Sequence, residues 1–469
     1  MKLRHSGGIN GRASLVVLAA MVSVAACRAQ AQTVDSGVSI GPSQALSLPS
    51  TPATPSVEHL FGDWGGVRTR LGNLGIDFVL DAITEFAGNV GGGVKQGSTF
   101  ANQLGFEADV DWQKLAGLPG FSTHAVIVNR SGRSDSGLFG DNLEPVQEIY
   151  GAGGNTALHL VYVYAEQSLA GGRVDLAAGR MPLANDFAAS PLYCNFMNNS
   201  LCGNPKALPG GDVGFSSYPD AVWGGRARVR PTPQTYVQLG VYEVNQGLYS
   251  NANFRSGFKF DASQDSGVEL PVEVAYEPRF GADKLPGHYK LGFAYDTSRQ
   301  IDFFTGVDAP PALTALRPGA RTGNTQVWAL ADQMVLRTGP GDTDGVVAIG
   351  GVMHNDPNNS AYAEEYFAGA LVGNFWRARS KDIAGLLFSY NTVSGRLGRG
   401  QGVEQEFGLP ISNGATGIQT HEMVLEANYD IHVFRGVNFE PDFQYIFRPN
   451  AQSNIKDATV LGFKSHVSF

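Results

Sequence analysis

From Ile76 to Phe469 apolar and polar positions alternate with a period of two. In the first run Phe78, Leu80, Ala82 and Phe86 share one face, and Asp77, Asp81 and Glu85 the other. In the second, Leu104, Phe106, Ala108, Val110 and Trp112 alternate with Gln103, Gly105, Glu107, Asp109 and Asp111. Successive strand side chains point to opposite faces, so each run predicts a strand with one apolar and one polar or acidic face. The pattern returns with Trp223, Gly225, Ala227 and Val229 against Gly224, Arg226, Arg228 and Arg230, and with Tyr289, Leu291, Phe293 and Tyr295 against Lys290, Gly292, Ala294 and Asp296. Near the end Val437, Phe439, Phe443, Tyr445 and Phe447 oppose Asn438, Glu440, Asp442, Gln444 and Arg448. Segments of about ten residues number roughly sixteen, those near 343–375 being ambiguous.

A soluble sandwich produces the same alternation with its apolar faces turned to a core. The connections favour a membrane barrel: short turns such as Leu118-Pro119-Gly120 and Arg230-Pro231-Thr232-Pro233 alternate with long polar insertions near 131–154, 181–219, 245–267, 298–323 and 393–416. Outer-membrane barrels have this asymmetry, tight turns inside and long loops outside. Leu461, Phe463, Ser465, Val467 and Phe469 share a face, and a terminal aromatic on such a strand resembles the signal read by the barrel-assembly machinery. The expected fold is all-β, a transmembrane antiparallel β-barrel of about sixteen strands over 76–469. A short helical motif over 60–75 precedes it, with Asp63 placed to cap a helix ending at Gly72 or Gly75.

Lys2, Arg4 and Arg12 precede an apolar stretch from Leu15 to Ala26 and then Ala29-Gln30-Ala31. This is the form of a secretory signal, residues 1–31, cut before Gln32. Val24-Ala25-Ala26 ahead of Cys27 also fits a lipoprotein signal. Residues 32–59 are a Ser/Pro-rich linker. The chain has 34 Lys+Arg against 43 Asp+Glu, a net charge of −9, without the clustered positive charge that a polyphosphate partner requires. Aromatic residues at 10 % and hydrophobic residues at 43 % exclude disorder. Outside the first thirty residues no apolar run approaches the ~18–20 residues of a spanning helix. Cys194 and Cys202 lie eight positions apart in a polar segment, and in an exported protein such a pair reads as a disulfide.

Particular residues resemble the carbohydrate-selective porins of the OprB family. They are Phe61-Gly62-Asp63-Trp64-Gly65-Gly66-Val67-Arg68-Thr69-Arg70-Leu71 with Gly75-Ile76; Ala165-Glu166-Gln167; Gly179-Arg180 with Asp186-Phe187-Ala188; Leu285-Pro286-Gly287-His288-Tyr289-Lys290-Leu291-Gly292; Ala331-Asp332-Gln333-Met334; Leu425-Glu426-Ala427-Asn428-Tyr429; and Glu440-Pro441-Asp442-Phe443-Gln444-Tyr445-Ile446. The ordered set spans 60–469. The resemblance implies a sixteen-stranded outer-membrane barrel through which mono- and oligosaccharides diffuse passively, with loops folded inward to narrow the channel. The linker and the loop holding Cys194 and Cys202 depart from the simplest family pattern.

Polar residues on alternating positions would line water in such a barrel. Carboxylates accept sugar hydroxyl protons and Arg supplies a fork of donors. The candidate lining is an acidic sector of Asp81, Glu85, Glu107 and Asp109, with Arg130, Arg180, Asp186, and the ladder of Arg226 and Arg228, which sets a transverse field if it faces that sector across the pore. The 181–219 insertion is the candidate constriction. The histidines follow no metal-ligand spacing, no nucleophile elbow or phosphate loop appears, and Gly398, Gly400 and Gly402 read as flexible turn residues. No enzyme activity, cofactor or metal is expected, and the partners are sugars and outer-membrane lipids, with the chain a monomer or a homotrimer. The competing functions are a general small-solute porin, an outer-membrane barrel hydrolase and a secreted carbohydrate-binding β-protein.

Overall fold

The computed structural model describes residues 58–141, 143–150, 154–250, 255–303 and 319–469. The expected signal 1–31 with Cys27, and all of the linker before residue 58, lie outside the described residues. Sixteen long strands follow in order: β1 Ile76–Gly91, β2 Gly97–Asp111, β3 Phe121–Gly132, β4 Thr156–Leu169, β5 Val174–Met181, β6 Val222–Thr232, β7 Thr235–Asn245 and β8 Asp265–Tyr276. The second half is β9 Leu285–Asp302, β10 Gly319–Arg337, β11 Gly345–Asn355, β12 Tyr362–Gly373, β13 Ile383–Val393, β14 His421–Phe434, β15 Val437–Phe447 and β16 Ala458–Ser468. Each pairs antiparallel with the next, and β1 closes on β16 with Asp81 opposite Ser468 and Phe86 opposite Phe463. A two-residue strand, Arg279–Phe280, adds to the start of β9.

The alternation sorts as the sequence predicts. Leu104, Leu239, Leu291 and Leu386 are about half exposed on the outer wall, while Glu85, Gln238, Glu269 and Gln444 on the inner face are fully buried. Phe86, Phe463 and Phe439 form a continuous aromatic row outside, with ring centroids 5.5 and 5.1 Å apart. No described helix is long and apolar enough to cross a membrane.

One sector departs from the pattern. Val347, Ile349, Met353, Phe367, Leu371 and Leu387 on β11–β13 point inward and are buried, so this stretch is apolar on both faces. A second difference concerns Gly398 and Gly402, which lie inside a helix, Gly395–Glu406, rather than in a flexible turn. Ser394 caps it by accepting from the Arg396 and Leu397 amides, and Leu397 and Gln401 bury its inner face. The missing side chain of Gly398 lets the helix approach the Gln419 carbonyl.

Ahead of the barrel, the helix Val67–Asn73 has Asp63 accepting from the amide and hydroxyl of Thr69 at 2.7 and 2.9 Å. This segment sits on the closing seam. Arg68 donates to the Phe78 and Phe469 carbonyls, both at 2.7 Å, and the Phe61 and Phe469 rings lie 5.6 Å apart. Replacing Arg68 with Ala is expected to cost about 2 kcal/mol, near the value of one hydrogen bond to a charged group. A lower midpoint for heat modification on a gel, with unchanged conductance, is the result to look for.

Candidate functional site

Two insertions fill much of the lumen. The first joins β3 to β4. Its Gln147 donates to the Glu85 carbonyl at 3.1 Å, and its Val146 carbonyl accepts from Gln444 at 3.0 Å. Its Leu143 carbonyl accepts from the Tyr362 hydroxyl. The second, 182–221, joins β5 to β6 and crosses to the far wall. Near its start the Ala188 amide donates to Glu273 at 2.9 Å. Beyond the crossing the Met197 amide donates to Glu426 at 2.5 Å and Asn198 to Gln444 at 2.8 Å. On the return the Ala207 amide donates to Glu365 at 2.7 Å. Cys194 and Cys202 are disulfide-bonded at the turning point, where Lys464 donates to the Cys194 carbonyl at 3.3 Å.

This insertion carries an apolar core into a polar-walled barrel. Phe187, Phe196, Leu201, Leu208 and Phe215 are fully buried. Phe215 packs edge-on against Trp328 at 5.7 Å, and Tyr193 against Phe367 at 5.6 Å. The inward apolar residues of β10–β13 are the seat for this core, which explains why so much of that inner side is apolar. Lys206 lies among Glu144, Glu365 and Asp141, and burial pushes its ammonium down to about 8. Burial raises Asp220 to about 7, with Arg130 and Arg180 pulling the other way.

The predicted lining residues on β1–β3 and on β6 face inward, Asp186 lies in the insertion, and Arg180 instead shares a face with its exposed cross-strand partners Val163 and Trp223. Asp81 is 3.5 Å from His466, the Glu85 carboxylate accepts the Ile149 amide, and Glu107 accepts the Tyr162 hydroxyl at 2.9 Å. Asp109 pairs with His124, whose ring stacks on Tyr164 at 4.8 Å. Arg130 donates to Gln103 at 2.8 Å and to the Ile149 carbonyl at 2.9 Å, and Arg180 lies over the Phe260 ring.

The arginine ladder does not face the acidic sector. Opposite walls of a sixteen-strand ring are eight strands apart, whereas β2 and β6 are four apart. Arg226 is nearly closed off from solvent and meets Glu166 at 3.0 Å, Asp175 at 2.8 Å and Asp186 at 2.7 Å. Its donors are committed to carboxylates of its own neighbourhood and cannot serve a passing hydroxyl. Arg228 differs: it bonds Gln238 at 2.7 Å, lies 3.5 Å from Asp186, stacks over Tyr236, and keeps a fifth of its side chain exposed. Arg230, paired with Glu277 at 2.7 Å, is more open still.

A closed barrel of sixteen long strands, apolar outside and narrowed within by loops, defines an outer-membrane porin, a passive channel and not an enzyme. The family model described as "Carbohydrate-selective porin, OprB family" matches residues 95–469, and the chain belongs to that family. It is 29 % identical to Porin B of Pseudomonas aeruginosa over 427 residues, covering 89 % of this chain and 92 % of the relative. It is 27 % identical to the putative porin QuiX of Acinetobacter baylyi over 426 residues, covering 88 % and 93 %. A solved structure described as the high-pH form of Pseudomonas putida OprB superposes with a TM-score of 0.81 at 27 % identity, over 89 % of this chain and 99 % of that one.

Proposed function

We propose that neutral sugars diffuse down the polar sector of β2–β8, past Asp109, His124, Glu166, Asp175, Arg228 and Arg230. The observation that carries this reading is the division of the lumen. The insertion packs on the apolar face of β10–β13, while inward polar groups on β2–β6 retain partial exposure, with Asp109 at 19 % and Arg228 at 20 %. Carboxylate acceptors, guanidinium donors and the stacked rings of His124 and Tyr164 suit hydroxyls and pyranose faces alike. Every group there already has a protein partner, so a sugar exchanges contacts rather than filling a deep site, and exit stays fast.

Single-channel current in a planar bilayer, titrated with glucose and a disaccharide, tests the reading. Replacing Arg228 with Ala is expected to weaken sugar blockade about tenfold, the loss of one hydrogen bond to a charged donor, and to shift ion selectivity toward cations. Unchanged blockade with folding intact moves the contact site to the insertion. A parent channel that sugars never block is a general small-solute porin.

The same reading covers export and assembly: residues 1–31 direct secretion, the strand ending in Phe469 is presented to the assembly machinery, and the outward apolar belt meets lipid. A homotrimer covers part of that belt. The mass of the detergent-extracted complex decides between it and a monomer.

A further inference from the structure

Three carboxylates from separate segments meet inside the barrel: Asp212 near the end of the 182–221 insertion, Glu269 on β8 and Asp296 on β9. One oxygen of each lies within 4.8 Å of the others, and all three residues are buried. Asp296 accepts from the Ser298 amide at 2.6 Å and hydroxyl at 2.8 Å, and from Gln300. Asp212 Oδ1 accepts from the Gly214 amide at 2.9 Å and from Gln300 at 3.3 Å. Glu269 is different: it is fully buried, and neither carboxylate oxygen has a hydrogen-bond partner. Asp212 Oδ2 also lacks one. A Cβ on Gly214 would stand 2.6 Å from Glu269 Oε2, so this carboxylate is aimed at the turn that carries Asp212.

Charge separates this cluster from a second one, Glu426, Glu440 and Asp442. There the buried Lys464 ammonium is attracted by Glu440 and Glu426, and Glu426 also accepts the Met197 and Asn198 amides. Around the first cluster, among the described residues, the charges acting on Glu269 are Asp212 and Asp296, and Asp296 acts on Asp212 in turn. Burying an unpaired carboxylate is costly, and three together more so. A dication bound among the three would neutralise that buried charge. The ligand atoms are all carboxylate oxygens, and such a hard set selects calcium over softer metals.

We propose that Asp212, Glu269 and Asp296 form a calcium site that clips the returning limb of the lumen-crossing insertion to β8 and β9. Sequence spacing could not reveal it, because the three ligands come from an insertion and two strands with no shared motif. The clip adds an ionic tether to the hydrogen bonds that hold the insertion to Glu273, Glu365 and Glu426.

Radioactive calcium and trypsin test this on the full barrel in detergent. Lys206 is the single Lys or Arg of the 182–221 insertion, so cleavage after it reports release of this limb. The folded parent is expected to take up one saturable calcium per chain at or below about 1 mM, the range of weak extracellular oxygen sites. Chelation should speed cleavage after Lys206 several-fold. Glu269→Gln should lose calcium uptake and the calcium dependence of cleavage, whereas Glu440→Gln in the second cluster keeps both. Equal uptake by Glu269→Gln and the parent overturns the site. If that variant does not yield a heat-modifiable barrel, Asp212→Asn takes its place. The parent also decides alone: no saturable uptake, or cleavage after Lys206 indifferent to calcium, ends the proposal.

Discussion

Arg226→Ala is expected to raise single-channel conductance and to destabilise the inner structure together. The guanidinium holds Glu166 of β4, Asp175 of β5 and Asp186 of the insertion within 3.0 Å. Removing it leaves three carboxylates in an almost dry pocket, and breaking a buried ion pair on one side costs about 3–5 kcal/mol. Asp186 is the member free to leave, because the other two are fixed to strands. The near end of the insertion therefore lifts from the wall. Arg226→Lys should recover only part of the effect, since an ammonium cannot present the planar fork that meets three acceptors. Conductance equal to the parent, in a barrel that still shows heat modification, would falsify this role.

Phe196→Ala should act on the far end of the same insertion. Its ring is fully buried against the opposite wall, where a Cβ added to Gly385 would come within 2.9 Å of Phe196 Cε1. The glycine makes the seat and the phenylalanine fills it. Truncating a buried Phe to Ala costs about 3–5 kcal/mol, and here the loss falls on loop docking rather than on strand pairing. The expected outcome is a noisier, wider channel with weaker sugar blockade and an unchanged heat-modification midpoint. A lowered midpoint with steady current would instead make Phe196 part of the barrel's own core. Reduction of the Cys194–Cys202 bridge should give the same electrical signature more weakly, because so short a loop contributes about 2–3 kcal/mol at most.

The strands were legible wherever the two wall faces meet different media. β1 and β2 have outward Phe78, Leu80 and Phe106 against inward Asp81, Glu85 and Glu107, and a period of two reads directly. Over 343–375 it does not, because Val347, Ile349, Phe367 and Leu371 face the insertion's apolar core while Val352 and Tyr366 face outward. A strand apolar on both faces carries no alternation. The helix Gly395–Glu406 was obscured by its glycines, although Ser394 offered a capping signal. The inward direction of Arg226 and Arg228 followed from their spacing. Their partners did not, since Glu166 reaches Arg226 from 60 positions away across β5, and Asp186 from 40 positions away through an insertion whose course has no periodicity. Sequence shows which face a charge lies on; the chain's tertiary path decides whether that charge is already spent.

The closing seam has a consequence for the order in which the barrel is made. Every other strand pair joins neighbours in the chain, so the sheet can zip up hairpin by hairpin with local loops to close. The β1–β16 ladder alone joins the two extremes, Asp81 with Ser468, and a contact of such long sequence separation is a slow, non-local event. The groups that cover it, Phe61 and Arg68, bind Phe469 and the Phe78 carbonyl together, and these meet only once the ring is complete. Docking of residues 58–75 is thus conditional on closure, and the segment acts as a latch: an unfinished sheet leaves Phe469 uncovered, and a finished one seats it under Phe61 and Arg68.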